Sequence, residues 1–205
     1  ADAEQSPQFP TKLTITGGTF NVKNSYEGIS APIMNGSGGI TSVVATDDGW
    51  NAGGTGKSAD NSCSLTISGG THYVYAGGDG LDSNGYFYIK GGNIVVCAPS
   101  SGGNAPLDSG DSADGVHITG GNIVAYGVSG MTETVQSDGQ NAVVLGSHTS
   151  VASGKYYVVV QGDNKWAVKA DRASTTFTCS MSDFTSGSVA IYSTSDVTVS
   201  ETLCE

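Results

Sequence analysis

The sequence predicts an all-β protein built as a parallel β-helix of about five coils, with an irregular β cap at its C-terminal end. Three observations support this fold class. Gly, Ser and Thr are abundant, with 31, 27 and 20 residues among 205, and the residues that favour helices are scarce. A Gly-Gly pair recurs through the first part of the chain. Apolar and polar residues alternate around each pair, which indicates strands with one buried face.

The first ten residues show no repeat, and we assign residues 1–10 to an N-terminal tail and residues 11–142 to the coils with their inserted loops. The chain begins at Ala1 without a methionine, as it would after removal of a signal peptide. We therefore expect a secreted protein, located outside the cell or on its surface.

Five Gly-Gly pairs follow an apolar-alternating run, and they lie at residues 17–18, 38–39, 69–70, 91–92 and 120–121, at intervals of 21, 31, 22 and 29 residues. The two long intervals contain polar inserts, near residues 54–61 and 100–112. One unit of 21 or 22 residues, a strand with a Gly-rich turn, explains all four intervals if a loop is let into two of its copies. Such short units cannot bury their own apolar face, so we expect them to stack as a solenoid. An antiparallel β-sandwich with accidental repeats is the alternative.

The repeat is lost from about Val143, and residues 143–205 are predicted to form strands that cap the coils or pack on them. Four strands are expected, at residues 155–160, 165–169, 176–179 and 188–192. A hairpin turn is expected at 161–164, between the first two of them. A cap would protect the last coil, because an open strand edge exposes unpaired backbone groups.

An acidic residue followed by glycine comes nine residues after each of the first three of these five pairs, at Glu27, Asp48 and Asp79. In stacked coils the backbones of equivalent residues lie about 4.8 Å apart. Two carboxylates at that spacing repel by about 3.5 kcal/mol at an effective dielectric constant near 20. Five further acids are expected in the same region: Asp47, Asp82, Asp108, Asp111 and Asp114.

These eight carboxylates predict bound calcium as the cofactor. Only two lysines lie between residues 27 and 114, so ion pairs cannot neutralise the acids. Calcium accepts six to eight oxygen ligands, including backbone carbonyls of turns, and tolerates irregular geometry. The alternative is a solvated acidic edge in which aspartates serve as turn formers.

Four tyrosines are candidates for carbohydrate binding. Side chains three or five positions after a Gly-Gly pair should face outward, and these positions include Tyr73, Tyr75 and Tyr126. Tyr88, three residues before its Gly-Gly pair, should face outward as well. Tyrosines on a flat sheet present rigid apolar rings with polar tips, which suit pyranose rings. The alternative is that the C-terminal strands cover this face.

Trp50 is a fifth carbohydrate-binding candidate. It aligns with Ile29 and Leu81 in the repeat, however, and this alignment favours a place in the core. His72 aligns with Phe20 and Ile94, and we interpret it as an interior histidine with satisfied hydrogen bonds.

The four cysteines, Cys63, Cys97, Cys179 and Cys204, match none of the usual zinc spacings. In an exported protein, two disulfides are the favoured interpretation, and free buried thiols are the alternative. Three pairings are possible, with a slight preference for Cys179 with Cys204.

The formal net charge is −11, and Arg172 is the only arginine. Phosphate backbones would be repelled, so nucleic acid is not expected as a partner. No apolar run approaches the ~20 residues that a membrane span needs, so membrane insertion is not expected either.

The chain resembles the secreted bacterial carbohydrate-binding β-helix family typified in cellulolytic clostridia, within the pectate-lyase-like group of right-handed parallel β-helices. The resemblance covers about residues 11–200 and rests on the Ile-Ser/Thr-Gly-Gly-Thr/Asn elements with their Val/Ile strands, the turns Thr46–Ala52 and Gly78–Ser83, the region of Gly130, Met131 and Gln136, and the closing strand Ser186–Val189. It implies right-handed winding and calcium in the turns. It also implies binding of cellulose or of acidic polysaccharides such as polygalacturonate, without known catalysis.

An enzyme is the less favoured interpretation. Pectate lyases and polygalacturonases have similar folds, so the fold alone decides nothing. Asp47 and Asp48 resemble an acid pair of polygalacturonases, but His-Gly and Arg-x-Lys elements are absent. We therefore expect a polysaccharide-binding protein without catalytic residues. The second hypothesis is a structural cell-surface protein whose coils associate end to end into a fibre.

Overall fold

The computed structural model describes residues 12–53, 63–99, 102–110, 113–128, 131, 133–136, 138–145 and 150–197. This part of the chain is all-β and contains no helix, so none that could cross a membrane. Its strands are β1 (Lys12–Ser25), β2 (Ile29–Ser30), β3 (Ile33–Ala45), β4 (Trp50–Ala52), β5 (Ser64–Tyr75), β6 (Leu81–Ser83), β7 (Tyr86–Cys97), β8 (Leu107–Ser109), β9 (Val116–Gly127), β10 (Val135–Gln136), β11 (Ala142–Leu145), β12 (Tyr156–Gln161), β13 (Asn164–Lys169), β14 (Thr176–Ser180) and β15 (Ala190–Thr194).

Two parallel sheets are built from the repeat. The long strands β1, β3, β5, β7 and β9 pair side by side in chain order, and the short strands β2, β4, β6 and β8 form a second parallel sheet in the same order. The chain therefore passes alternately from one sheet to the other, with one long and one short strand in each of the first four repeat units. Parallel pairing of successive units excludes the antiparallel sandwich for this region.

The Gly-Gly pairs lie inside the long strands, whereas the sequence predicted them in turns. The pairing register shifts at each pair, and the second glycine of each has a φ between 84° and 96°. A Cβ added to Gly39 would lie 2.9 Å from the carbonyl carbon of Gly17 in the neighbouring unit. The bend and the close approach of adjacent backbones both require glycine.

The main core lies between the inner faces of the two parallel sheets. Equivalent apolar side chains stack in columns, because parallel pairing in register places like residues over one another. The fully buried members with the largest side chains include Trp50, Met34, Leu65, Phe87, Leu81 and Ile89.

The C-terminal strands close one end of the long sheet. β14 pairs antiparallel with β9 and β11 with β14, while β10 adds to β9 in parallel. Strands β12, β13 and β15 form a separate antiparallel sheet. The four strands predicted here are all present to within two residues, and Gln161 pairs with Asn164 at the expected hairpin turn.

A second core holds this C-terminal region on the outer face of the long sheet. Tyr157, Phe177 and Cys179 from the C-terminal strands belong to one buried cluster with Val124 and Tyr126 from β9. The outer face of β5, β7 and β9 is therefore partly an interior surface.

Candidate functional site

The predicted column of acids is present in the structure. The amide of Gly28 donates to the carbonyl of Asp48, and the amide of Gly49 donates to the carbonyl of Asp79, each at 2.9 Å. Glu27, Asp48 and Asp79 therefore occupy equivalent positions in three successive repeat units, as the sequence predicted.

Two of the three column carboxylates, those of Asp48 and Asp79, accept hydrogen bonds from backbone amides of the next unit. Asp48 Oδ1 accepts a hydrogen bond from the Asp79 amide at 2.7 Å, and Asp79 Oδ1 accepts one from the Ala105 amide. Asn51 Nδ2 also donates to Asp48 Oδ2 at 3.1 Å. This use of aspartates at turns agrees with the alternative of a turn-forming role.

Burial raises the pKa of all three column acids, and that of Asp79 reaches about 6. The hydrogen bond from the Ala105 amide lowers the pKa of Asp79, and repulsion by Asp48 raises it further. The column is therefore an electrostatic cost to the fold when all its members are ionised.

A second polar column lies beside the first, on the short parallel sheet. Asn51 pairs in register with Asp82, and Asp82 with Asp108. Asp82 is 6% exposed, and burial, with repulsion by Asp108, raises its pKa to about 8. Burial, with repulsion by Asp79 and Glu133, raises the pKa of Asp108 to about 7.

The remaining predicted calcium ligands are Asp47, Asp111 and Asp114. Asp47 contributes its backbone carbonyl to the Gly77 and Gly78 amides, and Asp114 Oδ1 lies 2.8 Å from His117 Nε2. Asp111 lies outside the described residues. Among the described residues, no group of three or more His, Cys, Asp or Glu side chains has an arrangement that would hold a metal ion. The calcium site stays a prediction.

Two buried oxygens next to the carboxylates have no hydrogen-bond partner among the described residues. They are Glu27 Oε2 and Asn51 Oδ1. Both can coordinate a hard cation, and they lie in the two acidic columns. Each of the two columns therefore contains, beside its carboxylates, a buried oxygen without a hydrogen-bond donor in the described part of the chain.

Part of the predicted sugar-binding face is covered, and the assignment of Tyr126 to it is wrong. Tyr126 is 0% exposed, and its hydroxyl accepts a hydrogen bond from the Asp171 amide at 3.1 Å. The guanidinium of Arg172 lies 4.1 Å from the centre of the Tyr75 ring. Tyr73 is partly buried and donates to Asp171 through its hydroxyl, so its polar tip is already engaged. The C-terminal strands cover this part of the face, as in the alternative.

Trp50 is also excluded as a sugar contact, because it is 0% exposed. Its ring contacts His72 edge to face, with 5.1 Å between the ring centres. His72 bonds Thr41 and the Gly69 carbonyl, each at 2.9 Å, as expected for an interior histidine.

Tyr88 remains near the surface, on the part of the long sheet that precedes the Gly-Gly bend. Its ring lies 6.2 Å from that of Tyr86 and 5.0 Å from that of His117. The ammonium of Lys90 lies 5.0 Å from the centre of the Tyr88 ring. Neighbouring groups therefore flank the Tyr88 ring, which limits its use as an open stacking surface for sugar.

The sequence did not predict the concave site that the structure contains. A cavity of about 760 Å³ lies between the outer face of the long sheet and the β12–β13 hairpin, and we call it the interface groove. Its polar lining includes Asn93 and Asn122 from the sheet, Asp163 and Lys165 from the hairpin, and Asp183. Its aromatic lining is Trp166.

The walls of the interface groove are held in place by hydrogen bonds and ring packing. Asn122 Nδ2 donates to Asn93 Oδ1 at 2.9 Å, and Asn122 Oδ1 accepts from the Ser182 amide at 3.0 Å. Trp166 packs edge to face on Phe184, with 5.2 Å between the ring centres. The sequence signal for this groove was Trp166 among polar residues in a predicted hairpin. The repeat does not extend to this part of the chain, so it could not place Trp166 relative to the long sheet.

Two cysteines agree with the alternative of free thiols. Cys97 and Cys179 are buried and unbonded, and burial raises the pKa of both thiols. Neither Cys97 nor Cys179 forms a disulfide within the part of the chain that the structure describes. Cys63 is also buried, and Cys204 lies outside the described residues.

Comparison with protein-family models, with curated proteins and with solved structures finds no match to this chain.

Proposed function

We propose that the chain is a secreted polysaccharide-binding protein whose repeat region winds as a right-handed parallel β-helix. Alternation of the chain between two parallel sheets, one unit after another, supports a wound architecture. Each long strand connects to the next parallel long strand through the other sheet, and such crossover connections are nearly always right-handed.

The interface groove is the observation that carries the binding proposal. Its volume of about 760 Å³ lies within the roughly 300–1,000 Å³ usual for ligand sites. The exposed polar residues Asn93, Lys165 and Asp183 line it together with the partly buried indole of Trp166. An apolar ring beside amides and charged groups suits a sugar, which has an apolar ring face and a rim of hydroxyls. The proposal is binding without catalysis.

Calcium is the second part of the proposal. Asn51, Asp82, Asp108 and Glu27 would hold the ion through oxygen atoms. When bound, calcium supplies positive charge to carboxylates whose ionisation burial otherwise disfavours. The ion would thus stabilise the stack of repeat units.

The binding proposal is tested by affinity electrophoresis of the full chain in gels containing cellulose derivatives or polygalacturonate. We expect at least one polymer to retard migration of the native protein. The variants Trp166→Ala and Asn93→Ala should lose most of this retardation. Tyr192→Ala is the matched control, because Tyr192 is 60% exposed on β15 and does not line the groove. The proposal fails if no polymer retards the native protein, or if the groove variants, folded by circular dichroism, bind as well as the control.

The calcium proposal is tested by thermal unfolding with excess calcium and with excess EDTA. Calcium at about 100 times its dissociation constant would stabilise the fold by about 2.7 kcal/mol. For a chain of this size we therefore expect the melting temperature to fall by roughly 5–10 °C in EDTA. In Asp82→Asn the difference between the melting temperatures in calcium and in EDTA should be smaller. Asp196 is exposed, and Asp196→Asn should keep the full difference. An unchanged melting temperature in EDTA would contradict this part of the proposal.

A further inference from the structure

The charged side chains of the interface groove are predominantly acidic. Asp163 and Asp183 contribute two carboxylates to its lining, and Lys165 contributes one ammonium. The whole chain adds a formal net charge of −11. A polyanionic ligand would therefore meet repulsion both over long range and inside the groove.

The uncharged polar groups of the groove favour hydroxyls as partners. The amides of Asn93, Asn122 and Asn164 and the hydroxyl of Thr71 can donate as well as accept hydrogen bonds. Carboxylates only accept, and a sugar hydroxyl can donate to them. Asn122 Nδ2 donates one hydrogen bond to Asn93 Oδ1, and Asn122 Oδ1 accepts one from the Ser182 amide. The amide nitrogen of Asn93 and the second hydrogen of Asn122 Nδ2 can therefore donate to a ligand.

The apolar part of the lining lies next to these groups. The indole of Trp166 is partly buried and supported by Phe184, so it is held in a fixed orientation. Val124, Val159 and Met181 form the buried floor. A rigid aromatic ring over an apolar floor suits the flat face of an equatorially substituted pyranose, which displays C–H groups.

From this combination we infer that the interface groove binds a neutral glycan chain in preference to a uronic acid polymer. The inference rests on the proposed function and names the class of substrate for the same site. Two carboxylates accept hydrogen bonds from a neutral hydroxymethyl group, whereas a uronate carboxylate would replace that donor by a like charge.

The test compares two probes that differ only at C6: β-1,4-linked glucose hexamer, and the same hexamer oxidised at C6 to the uronate. Binding to the full chain is measured by titration calorimetry at low ionic strength, with the same calcium concentration for both. We expect the neutral hexamer to bind at least about tenfold more tightly, a difference of about 1.4 kcal/mol. Added salt should reduce the difference between the two affinities, because it screens the repulsion between the uronate groups and the groove carboxylates.

Asp183→Asn is the informative variant, because it removes one groove carboxylate and keeps the shape of the side chain. It should tighten binding of the oxidised hexamer severalfold relative to binding of the neutral hexamer, so that the ratio of the two affinities falls. The control, Asp196→Asn, removes an exposed charge that does not line the groove and should change neither.

The outcomes separate the two proposals. Equal or tighter binding of the oxidised hexamer, abolished by Trp166→Ala, would overturn the neutral preference and leave polysaccharide binding in the groove intact. Absence of binding for both hexamers, and for the polymers in the electrophoresis, would overturn the proposed function itself. Insensitivity of both affinities to Asp183→Asn would also count against the neutral preference.

Discussion

Asp82 illustrates how single residues in the acidic columns respond to their surroundings. Its side chain lies between Asn51 and Asp108 in the short sheet and is 6% exposed. Burial raises its pKa to about 8, so the folded state holds a proton on Asp82 over a pH range in which the unfolded chain has released it. The unfolded state then binds fewer protons, and the free energy of unfolding falls as the pH rises from about 4 to 8.

We therefore predict that Asp82→Asn stabilises the protein in EDTA at pH 8, by roughly 1–3 kcal/mol, because the amide needs no charge in the buried site. At about pH 4 and below the substitution should have little effect, because Asp82 is then protonated in the folded protein and largely protonated in the unfolded chain as well. Urea unfolding of both proteins across this pH range measures the difference. A stabilisation that does not grow with pH would contradict the account.

Single residues also show where the inward or outward orientation predicted from the alternating sequence agrees with the structure. Trp50 and His72 were expected inside the coils, and both are buried. Tyr126 was expected outside, and its side chain does leave the inner face of the long sheet. It is nevertheless 0% exposed, because another part of the chain packs on it.

At the scale of the elements, the glycine of an acid-glycine pair is as important as the acid, because it allows close packing against the next repeat unit. A Cβ on Gly49 would lie 2.1 Å from Cγ1 of Val74 and 2.4 Å from the carbonyl oxygen of Gly80. No side chain fits there without moving the neighbouring repeat unit.

Gly49→Ala should therefore destabilise the protein by about 1–3 kcal/mol or more, the usual range for overpacking a rigid site. Gly17→Ala is the matched control, because nothing lies within 4 Å of a Cβ there and the φ of Gly17 is not positive. It should change the free energy of unfolding by less than about 0.5 kcal/mol. Denaturant unfolding distinguishes them, and equal effects of the two substitutions would contradict the close packing described.

Arg172 links the C-terminal region to the long sheet through two hydrogen bonds and a contact with an aromatic ring. Its Nη1 donates to the Ala76 carbonyl at 2.8 Å and its Nε to the Tyr75 hydroxyl at 3.2 Å, while the guanidinium lies over the Tyr75 ring. A lysine cannot reproduce the planar fork and the stacking together.

We expect Arg172→Lys to weaken docking of the C-terminal strands by about 1–3 kcal/mol. Hydrogen exchange of the β12 and β14 amides should accelerate more than that of β5 and β7. Lys23→Ala is the control, since Lys23 is an exposed residue of β1. Uniform acceleration over all strands would show that Arg172 supports the whole fold and not the docking alone.

At the scale of the whole molecule, the two ends of the long sheet differ. At one end β14 and β11 continue the sheet in antiparallel pairing, whereas at the other end β1 is a mostly exposed strand that pairs in parallel with β3. A fibre needs two complementary ends that repeat the same contact. The β11 end is a short strand outside the repeat, so it does not offer the long parallel edge that β1 would require.

We therefore predict that the protein does not form filaments, in contrast to the second hypothesis from the sequence. Pairing through β1 would join two molecules head to head and then stop. Sedimentation velocity over a wide concentration range should show monomer or dimer. Filaments that lengthen with concentration, seen by electron microscopy, would refute the prediction.

The repeat and its direct structural consequences were predictable from the amino-acid sequence. The Gly-Gly spacing and the alternation of apolar residues predicted the parallel long strands, and the acid-glycine pairs predicted the column of Glu27, Asp48 and Asp79. These features are local and periodic, so the register of one repeat unit fixes the place of its equivalents in the next.

Which outer surface is free depends instead on tertiary packing. The docking of the C-terminal strands buried Tyr126, engaged Tyr73 and Tyr75, and created the interface groove around Trp166. The physical reason is that this docking depends on contacts between residues far apart in the chain, such as Arg172 with Ala76. No periodicity encodes such contacts, because the C-terminal strands lie outside the repeat.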